Sequence, residues 1–151
     1  MVDYSALAVE FLDKTQLLIK DRLNKPIDEA VHGEGFVLQY ISLHNGYVFP
    51  GEIGNAMCVS TARIATVLNS LEKKGLITRE IDTSDRRKIL VKITPEGKLL
   101  AEKNYRNAVD VIVKRFTLLG EHDAKEYVRL TGRLVEILLS VTSDVVDDGK
   151  V

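Results

Sequence analysis

The sequence predicts a mostly α-helical chain with one small β-hairpin, an α+β fold. Two features of the apolar spacing lead to this prediction. Most of the chain repeats its apolar residues every three or four positions, which is typical of amphipathic helices. Residues 76–93 depart from that spacing and indicate two short strands instead. With 151 residues and 45% hydrophobic side chains, the chain has the size and composition of one soluble domain.

The composition excludes several classes of protein. No apolar run approaches the ~18 residues needed to cross a bilayer. The first residues lead into an amphipathic pattern, so no signal peptide is expected. The single cysteine, Cys58, has no partner for an internal disulfide and fits a reducing compartment. We therefore expect a soluble, cytoplasmic protein.

The net charge of −1 conceals an uneven distribution along the chain. Residues 1–49 carry 4 basic and 7 acidic side chains, and residues 95–151 carry 9 and 10. Residues 50–94 carry 8 basic and 5 acidic side chains. A basic centre between acidic flanks can place positive charge on one face, which suits a phosphate backbone. A solvated surface of mixed charge would give the same distribution, so charge alone does not decide.

Two helices are predicted before residue 46. The first follows an apolar stripe from Tyr4 to Leu23 and ends or bends at residues 24–26, Asn-Lys-Pro. The second has a shorter apolar stripe within residues 36–41 and closes at Asn45-Gly46. These helices precede the basic centre of the chain.

A very short helix is predicted next, at about residues 51–57. Pro50 suits its first turn, and Ile53 and Ala56 would face inward. Ser60 is then a natural N-cap for a longer helix.

The longer helix runs to Lys74, where Gly75 stops it in the position at which a left-handed residue is usual. Its apolar residues lie on one stripe: Ile64, Val67, Leu68 and Leu71. A short helix and a long helix joined by a tight turn predict a helix-turn-helix.

The β-hairpin follows this helix directly and is therefore predicted to be a wing. Residues 76–81 are β-prone, and residues 82–87 form a polar tip. The returning strand alternates an apolar face with a mostly basic one, the apolar residues being Ile89, Val91 and Ile93. Thr94 and Pro95 then resemble the N-cap and first residue of another helix.

Two long helices are predicted to complete the chain. One runs from Pro95 to about Leu118, and Gly120 separates it from a helix that includes residues 127–141. The apolar residues of the last helix cover more than a stripe 100° wide, so it should be buried on two sides. In so small a chain, the second side is most simply another copy of the protein. Residues 144–151 are expected to be a frayed tail.

Three segments together resemble the MarR family of transcriptional regulators. They are Leu-Glu-Lys-Lys-Gly-Leu-Ile at residues 71–77, Asp-Arg-Arg at residues 85–87 and Val-Lys-Ile-Thr-Pro-Glu-Gly at residues 91–97. The first segment alone is common to many winged helices, but its combination with the other two is specific. The resemblance is strongest over residues 36–97 and follows the helix order over nearly the whole chain.

The resemblance implies a winged helix-turn-helix flanked by N- and C-terminal dimerisation helices. Residues 33–94 would bind double-stranded DNA, while residues 1–32 and 95–151 would form a homodimer. Members of the family bind a near-palindromic operator with one winged helix per half-site. Repression is commonly relieved by a small ligand, a metal or oxidation. No membrane role is implied, and the effector stays unidentified.

The exposed side of the longer helix carries the candidate base contacts. Arg63 is the leading candidate, because arginine makes bidentate contacts to guanine and recognition helices present their N-terminal residues to base edges. A solvated surface arginine is the alternative. The full set on this helix comprises Ser60, Thr61, Ala62, Arg63, Thr66 and Asn69.

The wing carries the second group of candidate DNA contacts. In the family, the residues matching Asp85 and Arg87 pair, and the arginine enters the minor groove. A narrow A·T minor groove attracts arginine electrostatically. Arg79, Arg86 and Lys88 are expected to contact phosphates, which gives affinity without sequence information. The alternative for the pair is an exposed ion pair that only stiffens the turn.

No catalytic motif, phosphate-binding glycine loop or carboxylate pair is recognisable, so an enzyme is not expected, nor is a cofactor. Cys58 is expected to be a small buried core residue. His32, His44 and His122 show no metal-ligand spacing. Two rival functions stay open: a winged-helix module that binds proteins and not DNA, and a metal- or thiol-sensing regulator that uses His32, His44 or Cys58.

Overall fold

The computed structural model describes residues 1–20 and 24–147, with side chains described up to residue 141. Leu23 and the last residues of the expected tail, 148–151, lie outside this part. The elements in chain order are α1 (Tyr4–Lys20), α2 (Lys25–Val31), α3 (Gly33–Leu43), β1 (Tyr47–Val48), α4 (Pro50–Met57), α5 (Thr61–Lys73), β2 (Ile77–Ile81), β3 (Ile89–Ile93), α6 (Pro95–Leu119) and α7 (Glu121–Asp147). The predicted mostly helical fold with a small β wing is confirmed.

The sheet contains one strand more than the predicted hairpin. Its order is β1-β3-β2 with both pairings antiparallel, and Val48 of β1 lies opposite Val91 of β3. A strand of two residues has no alternation to detect, so the sequence pattern could not predict it. The short helix α2 is not predicted either: Pro26 is expected to end or bend the first helix, but it lies in the first turn of a new one.

The core of the winged helix lies between α3, α4, α5 and the sheet. Its fully buried side chains are Val37, Leu38, Ile41, Ile53, Ile64, Leu68, Leu71, Ile77 and Val91. This packing holds α5 from behind and leaves its other side in solvent. Two predicted inward residues of the winged helix are exposed: Ala56, and Ile89, which is about half exposed because the hairpin extends beyond the core.

The start of α6 is joined closely to the end of α5. The hydroxyl of Thr94 accepts the backbone N–H of Gly97 at 3.1 Å and donates to the carbonyl of Gly75 at 2.8 Å. Gly75 has a φ of +71°, and a Cβ on Gly97 would lie 2.1 Å from the carbonyl oxygen of Leu76. The predicted cap at Thr94 and the predicted left-handed glycine are both confirmed.

An ion pair connects the first turn of α3 to the end of α5. Lys74 Nζ donates to Glu34 Oε2 at 2.6 Å. Partial burial acts to raise the pKa of Glu34, but hydrogen bonds from Lys74 and Ser70 and the charge of Lys74 outweigh it, so the pKa lies below its ordinary value of 4.5. The carboxylate therefore stabilises the fold above pH 4.5, and this contribution is lost as the pH falls through the lowered pKa.

Glu34→Gln is expected to lower the free energy of unfolding at pH 7 by about 0.5 kcal/mol, since the pair is partly exposed and screened. Urea denaturation of the variant and the wild-type protein at pH 7 and at pH 3 measures this difference. The difference should shrink between pH 7 and pH 3. An equal difference at both pH values would show that the charge of Glu34 is not the cause.

Residues 112–151 form a compact unit of their own, described here to residue 147. Within it, the rings of Phe116 and Tyr127 meet edge to face at 6.0 Å. None of the described α7 side chains is buried, including the apolar ones from Tyr127 to Val141. In the other unit, α1 likewise has no buried residue, and Phe11 is 68% exposed. In the described part of the chain, no helix combines the length and hydrophobicity that a membrane span requires.

Candidate nucleic-acid interface

The outer side of α5 presents a row of small side chains. The hydroxyl of Ser60 accepts the backbone N–H of Arg63 at 3.3 Å, so the helix begins with the predicted cap. Ile64, Leu68 and Leu71 are buried on the opposite side. The predicted candidates on this helix are all exposed, namely Ser60, Thr61, Ala62, Arg63, Thr66 and Asn69. All of these side chains except that of Arg63 are short, which allows a helix to approach a flat or grooved partner closely.

Ser60→Ala removes the cap and is expected to lower the free energy of unfolding by about 1 kcal/mol. Ser60→Asp is the matched control, because its carboxylate can cap the helix but repels a phosphate. Thermal unfolding of the two variants, with operator binding measured alongside, separates the capping role from phosphate contact. If Ser60→Ala is as stable as the wild-type protein, the hydroxyl contributes nothing as a cap.

Positive side chains without an ion-pair partner flank this row. Within residues 1–20 and 24–147, Arg63 and Lys73 of α5 and Arg86 of the wing have no carboxylate at ion-pair distance. Their charges are therefore not neutralised within that part of the chain. Such side chains can bind phosphates or base edges without first breaking an internal contact.

The wing tip holds one arginine in a defined but exposed position. Asp85 Oδ1 accepts the backbone N–H of Arg87 at 3.1 Å and its Nε at 3.2 Å. The side chain of Arg87 is nevertheless 92% exposed. The pairing implied by the family resemblance is thus present. The pairing holds the backbone N–H and Nε of Arg87 and leaves the terminal guanidinium donors in solvent.

The rest of the wing is also held by local contacts. Asp82 Oδ1 accepts both the backbone N–H and the hydroxyl of Ser84 at 2.8 Å, and these bonds hold the pKa of Asp82 below its ordinary value. Lys88 lies 5.6 Å from the ring centroid of Phe49, next to the tip. The loop is therefore not held by the hairpin strands alone.

Arg79 is placed differently from the other predicted phosphate contacts. Its guanidinium donates to Glu72 and to Asn69 of α5, and its side chain is only 27% exposed. The hydrogen bond with Glu72 raises the pKa of Arg79 and lowers that of Glu72. Cross-element contacts of this kind have no signal in the sequence, because Glu72 and Arg79 lie on different elements.

A cavity of about 590 Å³ lies beside the first turn of α5. The α2–α3 junction forms one wall with Asp28, His32 and Glu34, and Arg63 and Asn104 lie on the other elements that line it. This volume is in the range of ordinary small-molecule pockets. Arg63 therefore borders both the cavity and the outer surface of α5. The cavity has no signal in the sequence, because its walls come from distant segments.

Cys58 was predicted to be buried, and this prediction is wrong. The residue is exposed at the end of α4 in a left-handed conformation with a φ of +52°, and its Sγ lies 3.7 Å from the carbonyl oxygen of Asn55. The turn before α5 points this side chain away from the core.

The histidines have ordinary local partners. Nδ1 of His44 lies 2.7 Å from the carbonyl oxygen of Tyr40. Nδ1 of His32 lies 3.6 Å from Oδ1 of Asp28. Among the described residues, no group of three or more histidine, cysteine or acidic side chains is arranged to hold a metal ion.

Comparison with known proteins identifies this architecture. Residues 33–89 match the model of the MarR family. The HTH-type transcriptional regulator YwhA of Bacillus subtilis is 26% identical over 89% of this chain and 100% of its own length. The transcriptional repressor MdtR of the same organism is 28% identical over 67% of this chain and 64% of its own length.

A solved structure agrees in fold. BpsR of Bordetella bronchiseptica, whose DNA binding is regulated by 6-hydroxynicotinic acid, superposes with a TM-score of 0.65 at 21% identity, over 89% of this chain and 97% of BpsR. At this identity the likeness concerns the fold. Regulators of the MarR family are DNA-binding proteins and not enzymes. Residues 33–89 therefore match the MarR family of transcriptional regulators, and the chain is similar to an HTH-type transcriptional regulator over most of its length.

Proposed function

We propose that this protein is a homodimeric, ligand-responsive repressor that binds a near-palindromic operator. Residues 33–94 bind double-stranded DNA, with α5 in the major groove and the wing in the adjacent minor groove. The observation that carries this proposal is Arg87, which is anchored through Nε to Asp85 while 92% of its side chain stays exposed. An arginine held outward in this way suits the negative potential of a narrow minor groove.

Side chains on the outer side of α5 make the major-groove contacts in this proposal. Arg63 offers bidentate donors to guanine, and the short side chains of Thr61, Ala62 and Thr66 allow close approach and contact with thymine methyl groups. Asn69 lies on the same exposed side. Arg86 and Lys88 contact phosphates and supply affinity that does not depend on sequence.

Residues 1–32 and 95–151 form the dimer in this proposal. The apolar residues of α7 at positions 127, 130, 134, 137 and 141 alternate steps of three and four, the spacing at which helices pack along a seam. They are roughly half exposed in the single chain, as are Leu7 and Leu18 of α1. Exposed apolar surface of this extent is usually covered by a partner. In this proposal a second copy of the chain covers the apolar surface. The two-fold symmetry of such a dimer matches that of a palindrome.

Repression is proposed because MdtR, a relative of this chain, is a transcriptional repressor. Ligand response is proposed because the cavity beside α5 has the volume of a small-molecule site and includes Arg63 in its lining. BpsR offers a precedent for control of DNA binding by a small molecule.

Asn104→Trp is expected to imitate an occupied cavity. The indole would fill space bordered by the first turn of α5 and lower operator affinity at least tenfold without added ligand. Asn104→Ala, which leaves the cavity open, should bind like the wild-type protein. Fluorescence anisotropy measures both affinities, with circular dichroism confirming that each variant is folded. Equal operator affinity of the two variants would show that filling the cavity does not affect DNA binding.

Selection from randomised DNA duplexes tests the proposed function as a whole. The purified protein should select a near-palindrome whose half-sites lie about one helical turn, ~34–36 Å, apart. Anisotropy across a salt series should show log K falling steeply with log salt, because phosphate contacts release counterions. A ligand retained during purification could suppress binding, so the selection is repeated after unfolding and refolding. Weak and unselective binding in both preparations would favour the winged-helix protein-interaction module.

A further inference from the structure

Arg79 connects the wing to the outer side of the recognition helix. From β2, its Nε donates to Glu72 Oε2 at 3.0 Å and its Nη2 donates to Asn69 Oδ1 at 2.6 Å. Nη2 also donates to Glu72. One guanidinium thus contacts two side chains of α5 that lie almost one helical turn apart. An arginine engaged in this way has fewer donors to offer a phosphate.

These contacts determine which way the amide of Asn69 points. Arginine carries only donors, so the amide atom that faces it must be the oxygen. The two N–H donors of Asn69 are then directed away from Arg79. Asn69 is exposed on the side of α5 that also carries Thr66.

We propose that Arg79 is a positioning residue, which fixes Asn69 so that it presents hydrogen-bond donors to the DNA. The inference rests on the proposed function, because it requires α5 to lie in the major groove. Donors select base edges that carry acceptors, such as guanine N7 and O6, and discriminate against the amino group of cytosine. A bidentate contact to adenine also needs the amide oxygen, which Arg79 already engages.

A double-mutant cycle on the selected operator tests this inference. Affinities of the wild-type protein, Arg79→Ala, Asn69→Ala and the double variant are measured on the operator and on duplexes with cytosine placed symmetrically at each contacted position. Each single variant should lose about tenfold discrimination against cytosine at the same position. The double variant should lose no more than Asn69→Ala alone, because Arg79 acts through Asn69.

Arg79→Lys separates positioning from phosphate contact. Lysine keeps the positive charge and the fold but lacks the planar fork that can contact Glu72 and Asn69 together. Affinity for unrelated DNA should therefore stay within about twofold of wild type, while discrimination at the Asn69 position is lost. Lys92→Ala is the control for a loosened wing. It removes a 2.6 Å contact with Glu80 within the sheet and should leave discrimination unchanged.

Three outcomes would overturn the inference. Arg79→Ala could weaken binding to all sequences equally and reduce the salt slope by about one, which identifies a phosphate contact. The effects of the two single variants on discrimination could add, which shows that the residues act independently. If the wild-type protein selects no operator, the proposed function fails and this inference fails with it. In the first two cases only the inference fails.

Discussion

Replacing Leu134 and Ile137 together by glutamate is expected to convert the proposed dimer into a monomer of 16.9 kDa. Both side chains lie on α7 and are about half exposed in the single chain, at 58% and 48%. In a dimer they would be desolvated, and burying two unpaired carboxylates is strongly unfavourable. We expect the dissociation constant to rise by more than a hundredfold, which corresponds to about 3 kcal/mol.

Sedimentation equilibrium over a concentration series measures this change. Ser140→Glu is the control, because it adds a carboxylate to the same helix outside the seam of positions 127, 130, 134, 137 and 141. That variant should remain dimeric. The variant with glutamate at positions 134 and 137 should also lose most of its operator affinity, since one winged helix contacts only one half-site. A stable dimer carrying both glutamates would place the interface elsewhere than on this face of α7.

Arg87→Ala is expected to weaken operator binding by about 1–3 kcal/mol, roughly 5- to 150-fold, while leaving the fold intact. The side chain is 92% exposed, and its ion pair with Asp85 is a surface contact worth ~0–1 kcal/mol. The loss should be larger on operators with A·T pairs under the wing than on those with G·C pairs, because the narrow groove supplies the attraction. Anisotropy titrations on both operators measure the difference.

Arg86→Ala is the comparison for this experiment. Arg86 is a neighbouring exposed arginine without a carboxylate partner in the described part of the chain. Its loss should weaken binding to all DNA sequences alike and reduce the slope of log K against log salt by about one. Asp85→Asn keeps the shape of the partner and removes its charge, so it should weaken binding less than Arg87→Ala. If the operator affinity of Arg87→Ala is unchanged at low and high salt, the wing does not contact the DNA as proposed.

The helix-turn-helix could be predicted closely because its boundaries depend on local chemistry. The predicted short helix at about residues 51–57 is Pro50–Met57, and the longer helix begins directly after Ser60. Capping side chains and a glycine with positive φ act over three or four residues. The sequence contains that information in full. The same holds for Thr94, whose hydroxyl caps α6 as expected.

Features without periodicity were missed or predicted incorrectly. Strand β1 has two residues and exists through its pairing with β3. Cys58 lies in a turn between two helices, where apolar spacing gives no indication of burial, and it is exposed. Position in a repeating pattern predicts which side of an element faces the core, but a turn residue has no such position.

The sequence by itself determined the order of the helices and strands apart from α2 and β1, the ends of α4 and α5, the wing, and the candidate DNA contacts on α5 and the wing. Only the tertiary structure decided which residues of other elements those candidates contact or adjoin. It pairs Arg79 with Glu72 and Asn69, connects Lys74 to Glu34 forty positions away and places Arg63 beside a cavity lined by α2, α3 and α6. These contacts join side chains from different elements. Their geometry depends on how the elements pack, and the spacing of residues within one element carries no information about that packing.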